Sequence, residues 1–144
     1  MTQVDFYILE SDSDDARLRV ACRIADKAMQ QNQHVFINST SDAQARQLDE
    51  LLWTFSQGSF VPHRIVRHDT DAAPQEPVVI GLQQHPRCER WDVLINLAPE
   101  VPEFFSRYER VAEVVDGDPT RREQSRERYR FYRDRGYKLD THQV

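Results

Sequence analysis

Apolar residues in this chain fall into short runs separated by longer, mixed stretches. Five runs are short and rich in residues that favour strands: Val4–Leu9, His34–Asn38, Val78–Gly81, Asp92–Leu97 and Val111–Val115. Runs of this length, bounded by polar and turn-forming residues, are typical of buried strands. The pattern therefore predicts a strand at each of them.

Two of the intervening stretches repeat their apolar residues every three or four positions, as amphipathic helices do. The first begins at Asp14 and ends near Gln33, and the second begins after Thr40 or Ser41 and includes Leu52. Ser and Thr are common caps at helix starts. Strands that alternate with helices of this length favour an α/β fold with a mainly parallel sheet.

A third helix is predicted near the C-terminal end, over about residues 119–135. Asp118 can cap its first turn, and Pro119 suits the first helical position because its missing N–H is not needed there. Gly136 predicts the end of the helix, since glycine readily adopts the conformation that terminates helices.

The length of 144 residues predicts a single domain, residues 1–144. Two irregular stretches, Ser56–Pro77 and Gln83–Arg90, are expected to be loops within it. No apolar run approaches the roughly 18 residues of a membrane span, and no basic region precedes the first apolar run as in a secretory signal. We therefore expect a cytoplasmic protein with no membrane partner and no disulfide scaffold.

The turn between the first strand and the first helix is acidic and contains no glycine. It carries Glu10, Asp12, Asp14 and Asp15, and the first glycine of the chain is Gly58. A phosphate-binding turn at this place needs glycines, so that backbone N–H groups can approach the anion. The carboxylates would repel phosphate, and nucleotide binding is therefore not expected.

The same acidic turn suggests an alternative, a metal-dependent hydrolase or nuclease using Asp12, Asp14 and Asp15 with Mg²⁺. Acidic residues at a helix start are also ordinary caps, which interact favourably with the helix dipole. The histidines show no metal-binding spacing, and Cys22 falls where the first helix packs on the core. The sequence thus favours no metal and no cofactor, and leaves the hydrolase as an alternative.

Charge is distributed unevenly along the chain. The formal net charge is −5, but residues 1–120 carry a net −9 and residues 121–144 a net +4. An acidic body disfavours direct binding of nucleic acid, whereas a basic C-terminal end indicates an interaction with an anion.

The predicted third helix sorts its charges by face. At about 100° per residue, one arc about 100° wide contains only basic residues and one aromatic. This basic stripe comprises Arg122, Arg126, Tyr129, Arg130 and Arg133. The opposite side carries residues of mixed type: Arg121, Ser125, Arg128, Phe131, Tyr132 and Arg135. Pairs such as Glu123 with Arg126 can stabilise the helix, but the arginines outnumber the acids. The stripe therefore predicts binding of carboxylates or phosphates, with an acidic peptide and nucleic acid both open.

Several segments together resemble a known family. They are the opening VDFYIL, the LDELLW of residues 48–53, the SFVPH of 59–63, the DVLINL of 92–97 and the RERYRFYR of 126–133. In this combination and order they resemble the chi subunit of bacterial DNA polymerase III. The resemblance implies a Rossmann-like single domain without a nucleotide site. It also implies a non-enzymatic accessory subunit of the clamp-loader complex, which contacts DNA only indirectly.

The family resemblance implies two partners. One is the acidic C-terminal tail of single-stranded DNA-binding protein, whose contacts map to Val115, Arg122, Arg126, Tyr129, Arg130 and Thr141. Arg126 would grip the terminal carboxylate, Val115 and Tyr129 would enclose the last side chain, and Arg122 and Arg130 would meet upstream acids. The resemblance thus favours a peptide as the anion. Direct binding of single-stranded DNA by the same helix remains an alternative.

The second implied partner is the psi subunit of the clamp loader. The patch that faces it maps to Trp53, Phe60, Val61, Pro62 and Ile65. Core packing is an alternative role for Trp53, because a tryptophan at this helical spacing can equally face the interior.

Overall fold

The computed structural model describes residues 1–55, 61–66, 75–82 and 90–144. Within these ranges the helices and strands follow in this order: β1 (Gln3–Ile8), α1 (Asp14–Gln30), β2 (Val35–Asn38), α2 (Asp42–Thr54), β3 (His63–Val66), β4 (Val78–Gly81), β5 (Val93–Asn96), a 3₁₀ turn (Phe105–Arg107), β6 (Arg110–Val115), α3 (Pro119–Asp134) and β7 (Lys138–Gln143).

All seven described strands form one parallel sheet in the order β3-β4-β2-β5-β6-β1-β7. The connections from β1 to β2 through α1 and from β2 to β3 through α2 both run toward the β3 edge of the sheet. The connection from β6 to β7 through α3 runs toward the opposite edge. Because crossovers between parallel strands are right-handed, opposite directions place the helices on opposite faces. The predicted α/β class with a Rossmann-like sheet is confirmed.

Two apolar layers cover the two faces of the sheet. The first joins α1 and α2 to the sheet and includes Leu18, Leu48 and Ile95. The second lies under α3 and the 3₁₀ turn and includes Phe6, Phe105 and Tyr132. Central strands such as β2, β4 and β5 are buried along their whole length, which is why they read as continuous apolar runs in the sequence.

The two outermost strands were not predicted. The sequence interpretation treated Ser56–Pro77 as irregular, but β3 lies within it, and β7 was missed entirely. Both are edge strands, and β7 is exposed along most of its length with the sequence KLDTHQ. An edge strand with little burial needs no apolar run, so the periodicity that locates buried strands does not reveal it.

Candidate functional site

The local sequence fixes both ends of α3. The Asp118 carboxylate accepts a hydrogen bond from the Arg121 N–H at 2.9 Å, and Pro119 occupies the first turn, as the sequence predicts. Beyond the last turn, Gly136 adopts a positive φ of 81° and its N–H donates to the Arg133 carbonyl. These two ends make α3 a helix of 16 residues, long enough to present separate faces.

The inner face of α3 is anchored by a buried carboxylate on β6. Glu113 is 0% exposed and accepts hydrogen bonds from Arg128 Nε at 3.0 Å and from the Tyr132 hydroxyl at 2.7 Å. The Asn96 amide also donates to it, and Arg128 donates in addition to the Pro99 carbonyl. A buried charge that is both paired and hydrogen-bonded holds α3 in one rotation about its axis.

A second arginine anchors the start of α3. Arg121 forms a two-pronged contact with Asp116, with Nε to Oδ1 at 2.9 Å and Nη2 to Oδ2 at 2.6 Å. Burial acts to raise the pKa of the Asp116 carboxyl group, but the hydrogen bonds and charge of Arg121 outweigh burial and hold that pKa below its ordinary value. Asp116 therefore stays ionised and fixes the loop that leads into α3.

The outer face of α3 presents the basic stripe. Arg126 is 65% exposed on its side chain and contacts Glu123 at 3.2 Å, while Arg130 and Arg133 are also exposed. Tyr129 is 37% exposed. A single exposed pair of this kind contributes little to stability and is easily exchanged for another partner. Arg126, Arg130 and Arg133 are thus accessible on the surface of α3.

Tyr129 connects the stripe to the sheet. Its ring packs edge-to-face against Phe6 of β1, with 5.3 Å between the ring centroids. Phe6 is the register partner of Thr141 on β7, and two residues later Ile8 pairs with Val115 on β6. Register partners in a parallel pair point to the same face. Val115 and Thr141 therefore lie on the α3 face of the sheet, on either side of β1.

Arg122 occupies the edge of this group. Its Nε donates to the Asp116 carbonyl at 3.0 Å and its Nη2 lies 3.5 Å from the Leu9 carbonyl. The side chain is half-buried rather than fully extended into solvent. Val115 is also buried, at 4% exposure. Of the six residues predicted to bind the tail, Val115 thus contributes from beneath the surface, and the other five reach it.

The crevice between the ends of β1 and β6 is where ligands usually bind in parallel sheets of this type, because the chain winds in opposite directions from these two strands. Here the two loops are in direct contact. Gly117 N–H donates to the Ser11 carbonyl at 2.7 Å, and a side-chain carbon at Gly117 would lie 2.4 Å from the Glu10 carbonyl oxygen. Backbone therefore fills this crevice.

The predicted psi-facing patch lies at the other edge of the sheet. Trp53 on α2 is 53% exposed, so it is not a core residue. Its ring contacts His63, whose side chain is fixed between the Asp49 carboxylate and the Val61 carbonyl. Pro62 and Ile65 are half-buried, whereas Val61 is fully buried, and Phe60 lies outside the described residues. Val61 can therefore support the patch only from below.

The acidic turn that suggested a metal site is occupied by ion pairs. Asp14 contacts Arg17 at 3.0 Å and Asp15 contacts Arg19 at 2.7 Å. In the described ranges, no three His, Cys, Asp or Glu side chains are placed to hold a metal ion together. Cys22 is buried, and burial raises the pKa of its thiol to about 12. Cys88 lies outside the described residues.

Sequence reasoning missed a polar cluster formed by side chains of β2, β5 and β6. Asn38 and Asn96 bond to one another at 3.1 Å, and Asn96 bonds to Glu113. The available signal was a polar residue in each apolar run: Asn38 and Asn96 near the ends of theirs and Glu113 in the middle of Val111–Val115. A polar residue near the end of a run also marks a strand that simply leaves the core. The cluster helps to hold α3 in place, because its member Glu113 accepts a hydrogen bond from Arg128 of that helix.

The fold and the site together define a Rossmann-like α/β protein that presents a basic helix at one sheet edge and an exposed tryptophan near the other. No helix within the described ranges is long and apolar enough to cross a membrane. The family described as "DNA polymerase III chi subunit, HolC" matches residues 1–140. The chain belongs to this family of accessory subunits of the replicative DNA polymerase.

Three relatives extend this comparison over the whole chain. Subunit chi of DNA polymerase III from Pseudomonas aeruginosa is 42% identical over 144 residues, covering 100% of this chain and 98% of that protein. The Haemophilus influenzae subunit is 32% identical over 96% of this chain and 95% of its own length. The Escherichia coli subunit is 30% identical, covering 98% and 97%.

Proposed function

We propose that this chain is a non-catalytic bridge, in the bacterial cytoplasm, between the clamp loader and single-stranded DNA-binding protein. The basic stripe of α3 binds the acidic C-terminal tail of single-stranded DNA-binding protein, and the patch around Trp53 binds the psi subunit. The protein meets DNA only through these partners. The observation that carries the proposal is the exposed Arg126 beside Tyr129, held outward by the buried Arg128–Glu113 pair.

The chemistry of the stripe suits a peptide that ends in a free carboxylate. An arginine can donate two parallel hydrogen bonds to a carboxylate, and Arg126 has an exposed side chain to do so. The exposed Tyr129 ring, which packs on buried Phe6, offers an apolar surface beside it for the last side chain. Arg130 and the remaining donor capacity of Arg122 meet acids further up the tail, and Thr141 lines the far side across β1.

Single-stranded DNA fits the stripe less well. Nucleic-acid grooves of this kind stack successive bases on several aromatic side chains. In the stripe the aromatic is Tyr129, and its ring already packs against Phe6. The body from residue 1 to 120 carries a net charge of −9, which repels a polyanion.

The two proposed surfaces can be occupied together. β3, beside Trp53, and β7, beside α3, are the two edges of the sheet. With about 4.8 Å between neighbouring strands, these edges lie roughly 30 Å apart. A partner at one edge therefore leaves the other edge accessible, as a bridge requires.

A titration with the labelled tail peptide tests the α3 site. Arg126→Ala should weaken binding about ten- to a hundred-fold, since hydrogen bonds to a charged group contribute about 1.5–3 kcal/mol. The matched control is Arg46→Ala on α2, because Arg46 is also exposed and pairs with an acid one turn earlier. Equal affinities for the wild type and Arg126→Ala would refute the site. Tight binding of an oligothymidylate that competes with the peptide would favour the DNA alternative.

A further inference from the structure

A second concave surface lies on the face of the sheet opposite α3. Two adjoining hollows of about 430 Å³ and 410 Å³ share Val20, Arg23 and Val144 in their linings. Together we call them the α1 groove, which lies between α1 and the adjacent strands. Among the described elements, α1 packs mainly on β2, β5 and β6, so this face of β1 and β7 is less covered.

The floor of the α1 groove is apolar. Val20, Ile24 and Ala28 line it from one side of α1, at positions one turn apart, and Val93 and Ala112 line it from the sheet. These residues belong to or pack against the core under α1. The floor is therefore rigid and offers apolar side chains a place to pack out of water.

The rim of the α1 groove is basic along the hollow of about 430 Å³, while Glu10 lines the other hollow. Arg23 and Lys27 project from α1 one turn apart and are both exposed, and Arg110 of β6 faces them with a half-exposed side chain. Arg110 contacts Asp5 at 3.0 Å, but in the described part of the chain no carboxylate forms an ion pair with Arg23 or Lys27. This rim stands out in a body whose net charge is −9.

We propose that the α1 groove docks an acidic peptide segment of a partner protein, one that alternates carboxylates with apolar side chains. The apolar side chains pack on the Ile24 floor, and the carboxylates pair with Arg23 and Lys27. The groove is a separate surface from the α3 stripe, on the other face of the sheet, so both can hold peptides at once. The inference goes beyond the proposed bridge and does not depend on it.

A peptide suits the α1 groove better than a nucleic acid does. Sequence-tolerant binding of nucleic acid needs exposed aromatic faces on which bases stack. The Tyr7 ring of the groove is half-buried and already stacks on His142, with 4.9 Å between centroids. An apolar floor with a few cations above it is instead complementary to mixed acidic and aliphatic side chains.

A designed probe separates the two sites. The probe is a fluorescein-labelled Glu-Leu-Glu-Leu-Glu peptide with an amidated C-terminus, which removes the free carboxylate that the α3 site is proposed to grip. Its binding to the full chain is followed by fluorescence anisotropy, and its location by amide chemical shifts. We expect shifts on α1 and β6. The double variant Arg23→Glu/Lys27→Glu should bind the probe at least about ten-fold more weakly.

The controls make the outcome decisive. Arg126→Ala should bind the probe as the wild type does, and Arg23→Glu/Lys27→Glu should keep the circular dichroism spectrum of the wild type, which shows that the variant is folded. Ile24→Ala should also weaken binding of the probe, because it removes an apolar contact on the floor of the groove without changing any charge. Shifts confined to α3, unchanged affinity of the charge-reversal variant, or no binding at millimolar probe would overturn the proposal. So would an oligothymidylate that displaces the probe.

Discussion

Arg128 of α3 and Glu113 of β6 form an ion pair inside the protein. Arg128 Nε lies 3.0 Å from Glu113 Oε1, and the two side chains are 8% and 0% exposed. Glu113 is the acidic residue inside the apolar run Val111–Val115, and Arg128 belongs to the arginine-rich helix α3. Their pairing explains how a helix so rich in arginine can pack on the sheet while Arg126, Arg130 and Arg133 stay exposed.

Removing the carboxylate of this pair should destabilise the fold strongly. In Glu113→Ala, Arg128 stays buried without its counter-charge, and the Tyr132 hydroxyl loses its acceptor. We expect the free energy of unfolding to fall by about 3–5 kcal/mol, measured by urea unfolding. The control is Glu123→Ala, which breaks the exposed pair with Arg126 and should cost no more than about 1 kcal/mol. Similar losses for both variants would contradict the anchoring role.

Two glycines near the ends of α3 should respond differently to alanine. At Gly117 a side-chain carbon would lie 2.4 Å from the Glu10 carbonyl oxygen, so the loops after β1 and β6 must separate. We expect a loss of about 1–3 kcal/mol, as for other overpacked sites. At Gly136 there is open space but a φ of +81°, which disfavours alanine by about 1 kcal/mol. We therefore expect Gly117→Ala to lose more unfolding free energy than Gly136→Ala, which urea unfolding of both variants measures. A smaller loss for Gly117→Ala would contradict this expectation.

Asp116 should contribute to the acid sensitivity of the fold. Although burial acts in the opposite direction, Arg121 holds the pKa of Asp116 below its ordinary value. A carboxyl group with a lower pKa in the folded state adds stability above its unfolded pKa, about 3.9, and this is lost as pH falls through the folded value. Unfolding free energies measured from pH 6 down to pH 2 should therefore fall less steeply for Asp116→Asn than for the wild type.

If Asp116→Asn and the wild type lose stability in parallel below pH 4, the ion pair with Arg121 is not the source of the acid sensitivity.

Sequence periodicity predicted the parts of this structure that depend on local physics. The ends of α3 follow from Asp118, Pro119 and Gly136, and the basic stripe follows from the helical repeat. On the side opposite the stripe, Ser125, Arg128 and Tyr132 are buried. Each of these features is determined within a few residues of chain.

What the sequence could not predict depends on contacts between distant segments. The partner of Arg128 is Glu113, 15 residues earlier on another element, and nothing in a helical repeat identifies it. Burial of Val61 and Val115 likewise depends on which distant segments of the chain cover them. The β7 strand is defined by its pairing with β1 and not by its own apolar pattern. Tertiary packing decides all of these features.

The central claim is that one chain holds two partners at opposite edges of its sheet, and a recruitment assay tests it most directly. The C-terminal tail of single-stranded DNA-binding protein is immobilised, and retention of purified psi is measured with and without this chain. We predict that the wild type retains psi on the tail surface. With the Arg126→Ala variant, neither this chain nor psi should be retained on the tail surface. With the Trp53→Ala variant, this chain should still be retained but psi should not. Retention of psi by both variants, or no retention by the wild type, would contradict the bridge.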